Sequence, residues 1–483
     1  MENPLESVLT YFDALNEIPR CSKNEAAVAK WLAQWADARS HDYRRDDIGN
    51  LAIRIPARQC AQGPTVVIQG HMDMVCEKTP ESQHDFTRDP IRSFRRDDWL
   101  MAEGTTLGAD NGIAIAYALT LADDAGLVHP PLELLFTVDE ESGLSGAMKM
   151  DAGLISGKIL INLDSEDEGC FTIGCAGGID TRIMADFPAR DLKPGLRMAR
   201  LTVGGLHGGH SGVDINKHRG NANRIMGRIL AALRKEAGFT LVSLAGGSQH
   251  NAIPRDCCAV IAHNPADSAV VHETCARTQR TIKQEMAGVE NKFYLTLAEI
   301  DQEAGKALSA EDTDRTLWLL LALPNGVAGM SLEMQELVET SSNLATVSLH
   351  DGVLRFLVSH RSARMSRLDE ITSTTHAVAD LAGLKAENIS AYPPWQPAVD
   401  SPLLVRAQNV YQKLFSAAPR VQVMHAGLEC AIIGDLCGGM DMISLGPTIR
   451  YPHSPHEQLH IPSVGRVWQF LTALLEDLGK EGR

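Results

Sequence analysis

TVVIQGHMD, residues 65–73, is an apolar run that ends in a histidine and an aspartate two positions apart. Its apolar part has the length of a strand and no polar face, the pattern of a central strand buried on both sides. Other runs share the design. LELLFTVDEESG (132–143) ends in Glu140 and Glu141, KILINLDSED (158–167) delivers Asp164, and DMISLGPTIRYPHSPHE (441–457) delivers His453 after a short loop. Asp110 opens an apolar, helix-like stretch in GTTLGADNGIAIAYAL (104–119). In open α/β sheets ligands gather beyond the carboxyl ends of the strands, so these side chains have a common place to meet. Carboxylates and imidazoles meeting there suit a pair of divalent metals, which offer a water nucleophile at neutral pH and a clamp on a carbonyl.

Taken singly, each motif has a plainer reading. The HxD of His71 and Asp73 fits a surface or core histidine equally well. Strand alternation, however, puts Asp73 on the side where it can orient a metal-bound imidazole. Asp110 also suits a helix N-cap, although the glycines around it favour close approach of backbone to a ligand. The acids 139–141 also read as a solvated turn. Packed in one pocket they repel, and burial raises their pKa values unless cations compensate. Adjacent residues point in different directions, so Glu141 can hold metal while Glu140 faces the water. His456-Glu457-Gln458-Leu459-His460 matches HExxH, the helical zinc-protease pattern. That chemistry needs two turns of helix, and Pro452, Pro455 and Pro462 crowd the segment.

The chain has 483 residues, which predicts at least two domains. Hydrophobic residues make up 44% and charged residues 22%, the range of a soluble globular protein. Net charge is −16 and no Lys/Arg block stands out, which argues against nucleic acid or an anionic membrane as partner. No apolar stretch has the roughly 20 residues of a membrane span, and the N-terminus lacks the features of a signal peptide. Ten cysteines without paired CxxC spacing read as reduced thiols of a cytoplasmic protein.

The N-terminal MENPLESVLTYFDAL predicts an amphipathic helix with Leu5, Val8, Leu9, Phe12 and Leu15 on one face. A second helix is expected over 24–37 with Val28, Trp31, Leu32 and Trp35 inward, behind a capping box of Ser22 and Glu25. NLAIRIP (50–56) alternates like a strand with one exposed face. The first third is therefore α/β, with a mixed central sheet flanked by helices. After CAGGIDTRI (175–183) alternating strands and amphipathic helices (217–236, 268–287, 366–382) predict one or two α+β sandwiches. The proline-rich AYPPWQPAVDSP (391–402) reads as a return linker. The expected organisation is a catalytic domain (1–178 and 393–483) interrupted by an inserted lid domain (179–392). Free sheet edges on the insert offer a dimer surface, so a homodimer is expected.

Together GHMD, GADNG, DEESG, NLDSE, GGHSG, HNAIP and HSPHE resemble the di-zinc metallopeptidase family of carboxypeptidase G, peptidase T, the aminoacylases and the carnosine-splitting dipeptidases. The resemblance covers nearly the whole chain. Its size, NLDSEDEG, GCAGG and GPTIRYPHSPHE look most like the family's bacterial branch that cleaves aminoacyl-histidines. The resemblance implies two Zn²⁺ bridged by Asp110, with a cis Asp110–Asn111 peptide. One ion would be completed by His71 and Asp164 and the other by Glu141 and His453. Cobalt or manganese can substitute in such an O/N ligand set. It further implies Glu140 as general base and Asp73 as the partner of His71. His210 of GGHSG and Asn251 of HNAIP would hold the substrate carbonyl, Arg361 of SHRSA the terminal carboxylate, and Gly427 of HAGLE would offer backbone contact. The expected activity is hydrolysis of unblocked dipeptides, carnosine-like Xaa-His substrates above all. A deacylase of N-acyl amino acids is the alternative within the family. An HExxH protease and a non-catalytic zinc- or peptide-binding protein are the alternatives outside it.

Overall fold

The computed structural model describes residues 4–59, 63–300, 305–334 and 337–480. The chain divides into two compact units. The first comprises residues 1–175, 395–423 and 428–483, and the second residues 176–394 and 424–427.

The first unit is built on an eight-stranded mixed sheet in the order Tyr43–Arg45, Leu51–Ile55, Leu132–Thr137, Val66–His71, Ile159–Asn162, Asp441–Ser444, Cys170–Cys175, Arg420–Met424. The four middle strands, from Leu132–Thr137 to Asp441–Ser444, run parallel. Val66–His71 and Leu132–Thr137 are buried at every position, the polar Gln69, Glu133 and Thr137 among them, as strands covered on both faces are. Register aligns His71 with Thr137 and Gln69 with Asn162, so their carboxyl ends finish at one edge of the sheet. Helix Ala109–Asp123 is buried almost all round, which explains its lack of a polar face. It packs on the strand Val66–His71 and on the N-terminal helix Pro4–Asn16, which buries Val8, Leu9, Phe12 and Leu15.

Several expectations are corrected here. Leu51–Ile55 has no exposed face: Leu51, Ala52, Ile53 and Ile55 are buried, so side chains on both sides of the sheet are covered there. The helix Ala26–Ala38 has no capping box. Ser22 Oγ instead donates to Asp73 Oδ2 at 2.8 Å, and Glu25 Oε1 accepts from the backbone N–H groups of Lys23 and Asp139. Trp31 is only half-buried on that helix, whereas Val28, Leu32 and Trp35 face inward. Nor are all cysteines thiols. Met74 N–H donates to Arg20 O in a parallel bridge of Cys21 with Met74, and this brings Cys21 and Cys76 into a disulfide with Cα atoms 5.7 Å apart.

The second unit is built on one continuous nine-stranded sheet, so of the expected one or two α+β sandwiches it is a single one. Its path runs Tyr294–Ile300, Arg197–Gly204, Cys257–His263, Phe239–Gly246, Val338–His350, Val353–Ser362, Gly177–Asp186, Lys385–Tyr392, with Gly326–Met330 added beside Val338–His350. Helices Ala222–Glu236, Ser268–Glu285, Ala310–Ala322 and Met365–Leu381 share a core with it through residues such as Leu201, Ile229, Leu241, Ile261, Leu320 and Phe356. The first of these starts later than position 217 because Asn221 caps it, accepting from Arg224 N–H. No helix among the described residues is long and apolar enough to cross a membrane.

One glycine tests how tightly the first unit is packed. A Cβ on Gly70 would collide with Asn111 Oδ1 and Ala114 Cβ, because helix Ala109–Asp123 rests directly on the strand. Gly70→Ala is therefore expected to lower stability by about 1–3 kcal/mol, the scale of overpacking. Thermal unfolding measures it, and an unchanged melting temperature contradicts this packing.

Candidate functional site

The first unit gathers its ligand-type side chains at the carboxyl edge of its sheet. Asp110 Oδ1 lies 3.1 Å from His71 Nε2, while its Oδ2 lies 3.0 Å from His453 Nε2. Asp164 Oδ1 is 3.4 Å from His71 Nε2, and Glu141 Oε2 is 3.1 Å from His453 Nε2. His71, Asp110 and Asp164 thus form one group able to hold a metal, and Asp110, Glu141 and His453 a second that shares Asp110. His71, Glu140 and Glu141 form a third, with the ligand atoms of each group within 4.8 Å of one another. Asp110 is not the N-cap, a position held by Gly108 in the left-handed region. Asp110 itself is extended, at φ −80° and ψ 107°, and its peptide bond to Asn111 is cis.

The electrostatics of this cluster fit a bound cation. Burial raises the Asp164 pKa to about 6; Asp110 and Glu141 add to that rise, against the pull of His71. Burial likewise raises Glu140 and Glu141, and neighbouring carboxylates push both further. Glu141 Oε1 is buried with no hydrogen-bond partner. Like-charged groups held this close need a divalent ion between them to ionise together.

The HExxH string does not form the helical motif. Gln458–His460 is a strand paired with Trp99–Ala102, and the helix begins only at Ile461. His456 and His460 belong to none of the metal-capable groups among the described residues.

The second unit carries the remaining residues singled out by sequence. His210 pairs with Ala252 across a short antiparallel bridge, and Ser211 N–H donates to Asn251 O, so GGHSG and HNAIP lie side by side. His210 Nδ1 accepts from the backbone N–H groups of Gly212 and Val213, both at 3.2 Å. Burial, with Arg361 adding, pulls the His210 pKa down to about 4. The ring is thus neutral at pH 7, and its proton sits on Nε2. Arg361 is 6% exposed and donates from Nη1 to Tyr392 OH at 2.8 Å. It has no ion pair among the described residues, and its Nε is buried without a partner. Gly427 lies against the Tyr392 ring.

Of the layer that holds the metal-capable residues in place, sequence reasoning named Asp73 as the partner of His71 and missed the rest. Asp73 is fully buried; its Oδ1 lies 3.2 Å from His71 Nδ1, and its two oxygens accept from Glu140 and Glu141 N–H. Asn111 Oδ1 accepts from His71 N–H, while its Nδ2 donates to Leu163 O. Arg20, 1% exposed, donates to Met72 O, Asp73 O and Gly108 O. Glu457, 2% exposed, accepts from the N–H groups of Leu107, Gly108 and Asp110. The only sequence signal for Glu457 is its four-residue spacing from His453, and Arg20 carries none. Removing Glu457 leaves three backbone donors of the Asp110 loop unpaired. Glu457→Ala is expected to weaken divalent-metal binding about 10–100-fold, the scale for loss of a group that supports a ligand. Glu457→Gln, which keeps an acceptor oxygen, should lose less. Chelator competition reads both, and unchanged affinity in the alanine variant rejects the role.

Comparison with known proteins places the chain in a family. The model of Peptidase family M20/M25/M40 matches residues 67–477. The chain is 40% identical over 469 residues to the cytosol non-specific dipeptidase of Escherichia coli (strain K12), covering 97% of this chain and 96% of that protein. The crystal structure of aminoacylhistidine dipeptidase from Vibrio alginolyticus superposes with a TM-score of 0.88 at 38% identity, covering 98% of this chain and 96% of that one. Aminopeptidase PepT from Bacillus cereus shares the fold, with a TM-score of 0.57 at 16% identity over 99% of both chains. Ligand-type residues at one sheet edge and a match spanning most of the sequence lead to one conclusion: the chain belongs to Peptidase family M20/M25/M40.

Proposed function

We propose that this peptidase hydrolyses unblocked dipeptides, favours histidine on the carboxyl side, and uses two Zn²⁺ ions held by the first unit. The observation that carries the reading is the shared aspartate: each oxygen of Asp110 faces a different histidine. His71, Asp110 and Asp164 would hold one ion, and Asp110, Glu141 and His453 the other. Bound there, the metal pair supplies Lewis acidity and lowers the pKa of a water. Glu140 stands in the same cluster and is left over from the ligand pairs. It takes the proton of the attacking water and returns it to the leaving amine. Asp73 fixes the His71 ring through Nδ1, so that Nε2 faces Asp110 and Asp164.

Substrate would be held by the second unit. His210 would offer Nε2–H to a substrate carbonyl, because its Nδ1 is already occupied as an acceptor. Asn251, beside it, and the backbone at Gly427 complete the carbonyl and chain contacts. Arg361 is a buried guanidinium with no ion pair among the described residues, the nearby Asp180 being paired with His250, which supports its role as partner of the terminal carboxylate. Grips at both ends of a dipeptide make longer peptides poor substrates. The relatives' names differ in breadth, one non-specific and one aminoacylhistidine. A cytoplasmic location and a homodimer through an outer edge of the second unit's sheet belong to the same proposal, and light scattering tests the dimer.

Glu140→Gln is expected to keep its metal and lose at least about 100-fold in kcat, the scale of a lost general base. Near-normal turnover rejects the assignment. A panel of Xaa-His dipeptides, other dipeptides and N-acetyl amino acids on metal-stripped and zinc-restored protein tests the activity. Faster cleavage of the acetylated compounds moves the reading to a deacylase.

A further inference from the structure

A polar row crosses four strands on one face of the second unit's sheet. Register places Ser341 opposite Arg361, Arg361 opposite Gly178, and Gly178 opposite Tyr392. Directly opposed residues have Cβ atoms about 4.5–5.5 Å apart on the same face. Gly178 has no side chain, and a Cβ there would lie 2.6 Å from the Tyr392 ring. The ring therefore lies across that strand, and its hydroxyl accepts from Arg361 Nη1. The segment 424–427 belongs to the same unit and rests on this row. Gly427 touches the Tyr392 ring, and His425 Nε2 is 2.7 Å from Ser341 Oγ. The segment also meets the GGHSG loop: a Cβ on Gly212 would collide with His425 O and stand 3.0 Å from His210 Cε1.

His425 is 6% exposed. Two buried nitrogens in this patch have no hydrogen-bond partner, Arg361 Nε and His425 Nδ1. Burial, reinforced by Arg361 and His210, pulls the His425 pKa down to about 3, so the ring carries one proton at pH 7. Ser341 Oγ can donate to Nε2, which leaves that proton on Nδ1. Tyr392 takes Nη1 of Arg361 and leaves the Nε edge of the guanidinium open. Two unsatisfied donors on one patch call for an anionic acceptor with more than one oxygen.

We propose that His425 is a substrate-binding residue whose Nδ1–H, set by Ser341, joins Arg361 in holding the carboxylate at the C-terminal end of the dipeptide. This rests on the reading of Arg361 as the carboxylate's partner. His425 adds a donor that an amide or ester terminus satisfies poorly, so the pair selects free dipeptides over blocked ones.

The test is steady-state kinetics on Ala-His and its C-terminal amide, with zinc content measured for each protein. Zinc should stay at the wild-type level throughout. His425→Phe is expected to raise KM for Ala-His about 10–100-fold, the scale of a hydrogen bond to a charged group. Its kcat should stay within about three-fold, and the amide should be unaffected. His425→Asn, whose side-chain N–H can stand near the Nδ1 position, should recover most of the loss. Ser341→Ala, a smaller change to the fold, should move the same preference in the same direction. If Arg361→Ala abolishes the preference for the free acid while the His425 and Ser341 variants retain it, the role of His425 is overturned and that of Arg361 stands. If His425→Phe slows acid and amide alike, His425 shapes the unit without binding the carboxylate, and the proposal fails. If Arg361→Ala keeps the preference intact, the reading of Arg361 fails, and this inference with it.

Discussion

The rest of the first unit depends on Asp110 presenting each of its oxygens to a different histidine. A carboxylate can do this only if its backbone is held by other groups. Glu457 receives the N–H groups on either side of the turn, Gly108 takes the left-handed conformation before it, and Asn111 ties the following residue to His71 and to the chain entering Asp164. The sheet supplies the rest, because parallel register ends its central strands together. Helix Ala109–Asp123 can lie close enough to deliver Asp110 only because Gly70 has no side chain.

Such a site concentrates negative charge in a place poor in water. Asp73, Glu140, Glu141, Asp164, Glu429 and Glu457 all lie in or close behind the cluster. Burial pushes Glu429 and Glu457 up to about 7. Arg20 is a fixed cation among them, held so deeply that its own pKa falls to about 10. Glu429 links strands from beneath: it accepts from Gln69 at 2.6 Å and Thr137 at 2.7 Å, and Gln69 accepts in turn from Asn162. One buried arginine thus balances part of the charge of the acids that the fold brings together, and the cluster that could hold metal is where the rest is balanced under the proposed function.

The strands and the ligand-type residues were legible in the sequence because two simple signals coincide. Unbroken apolar runs mark buried parallel strands, and each run stops at a residue with metal chemistry. His71, Asp110, Glu141, Asp164 and His453 all converge in the folded chain. What stayed hidden has no local signature. Ser22 and Glu25 looked like a helix cap, yet their partners are Asp73 and Asp139, far along the chain. The cysteine pair is separated by 55 residues and lies in no motif. Arg20 bonds only to backbone carbonyls, which any sequence provides. The alternating strands of the middle block gave its class but not its single sheet, because pairing order is set by contacts among strands distant in sequence.

Residues 424–427 leave one compact body and lie on the other before the chain turns back to its last helices. Completion of both bodies is thereby postponed to the end of synthesis. Until that short crossing segment has emerged, the row of Ser341, Arg361 and Tyr392 has nothing resting on it, and His453 is still absent from the acids it will face. A nascent or prematurely terminated product that stops short of residue 424 lacks His453 beside Asp110 and His425 beside Ser341.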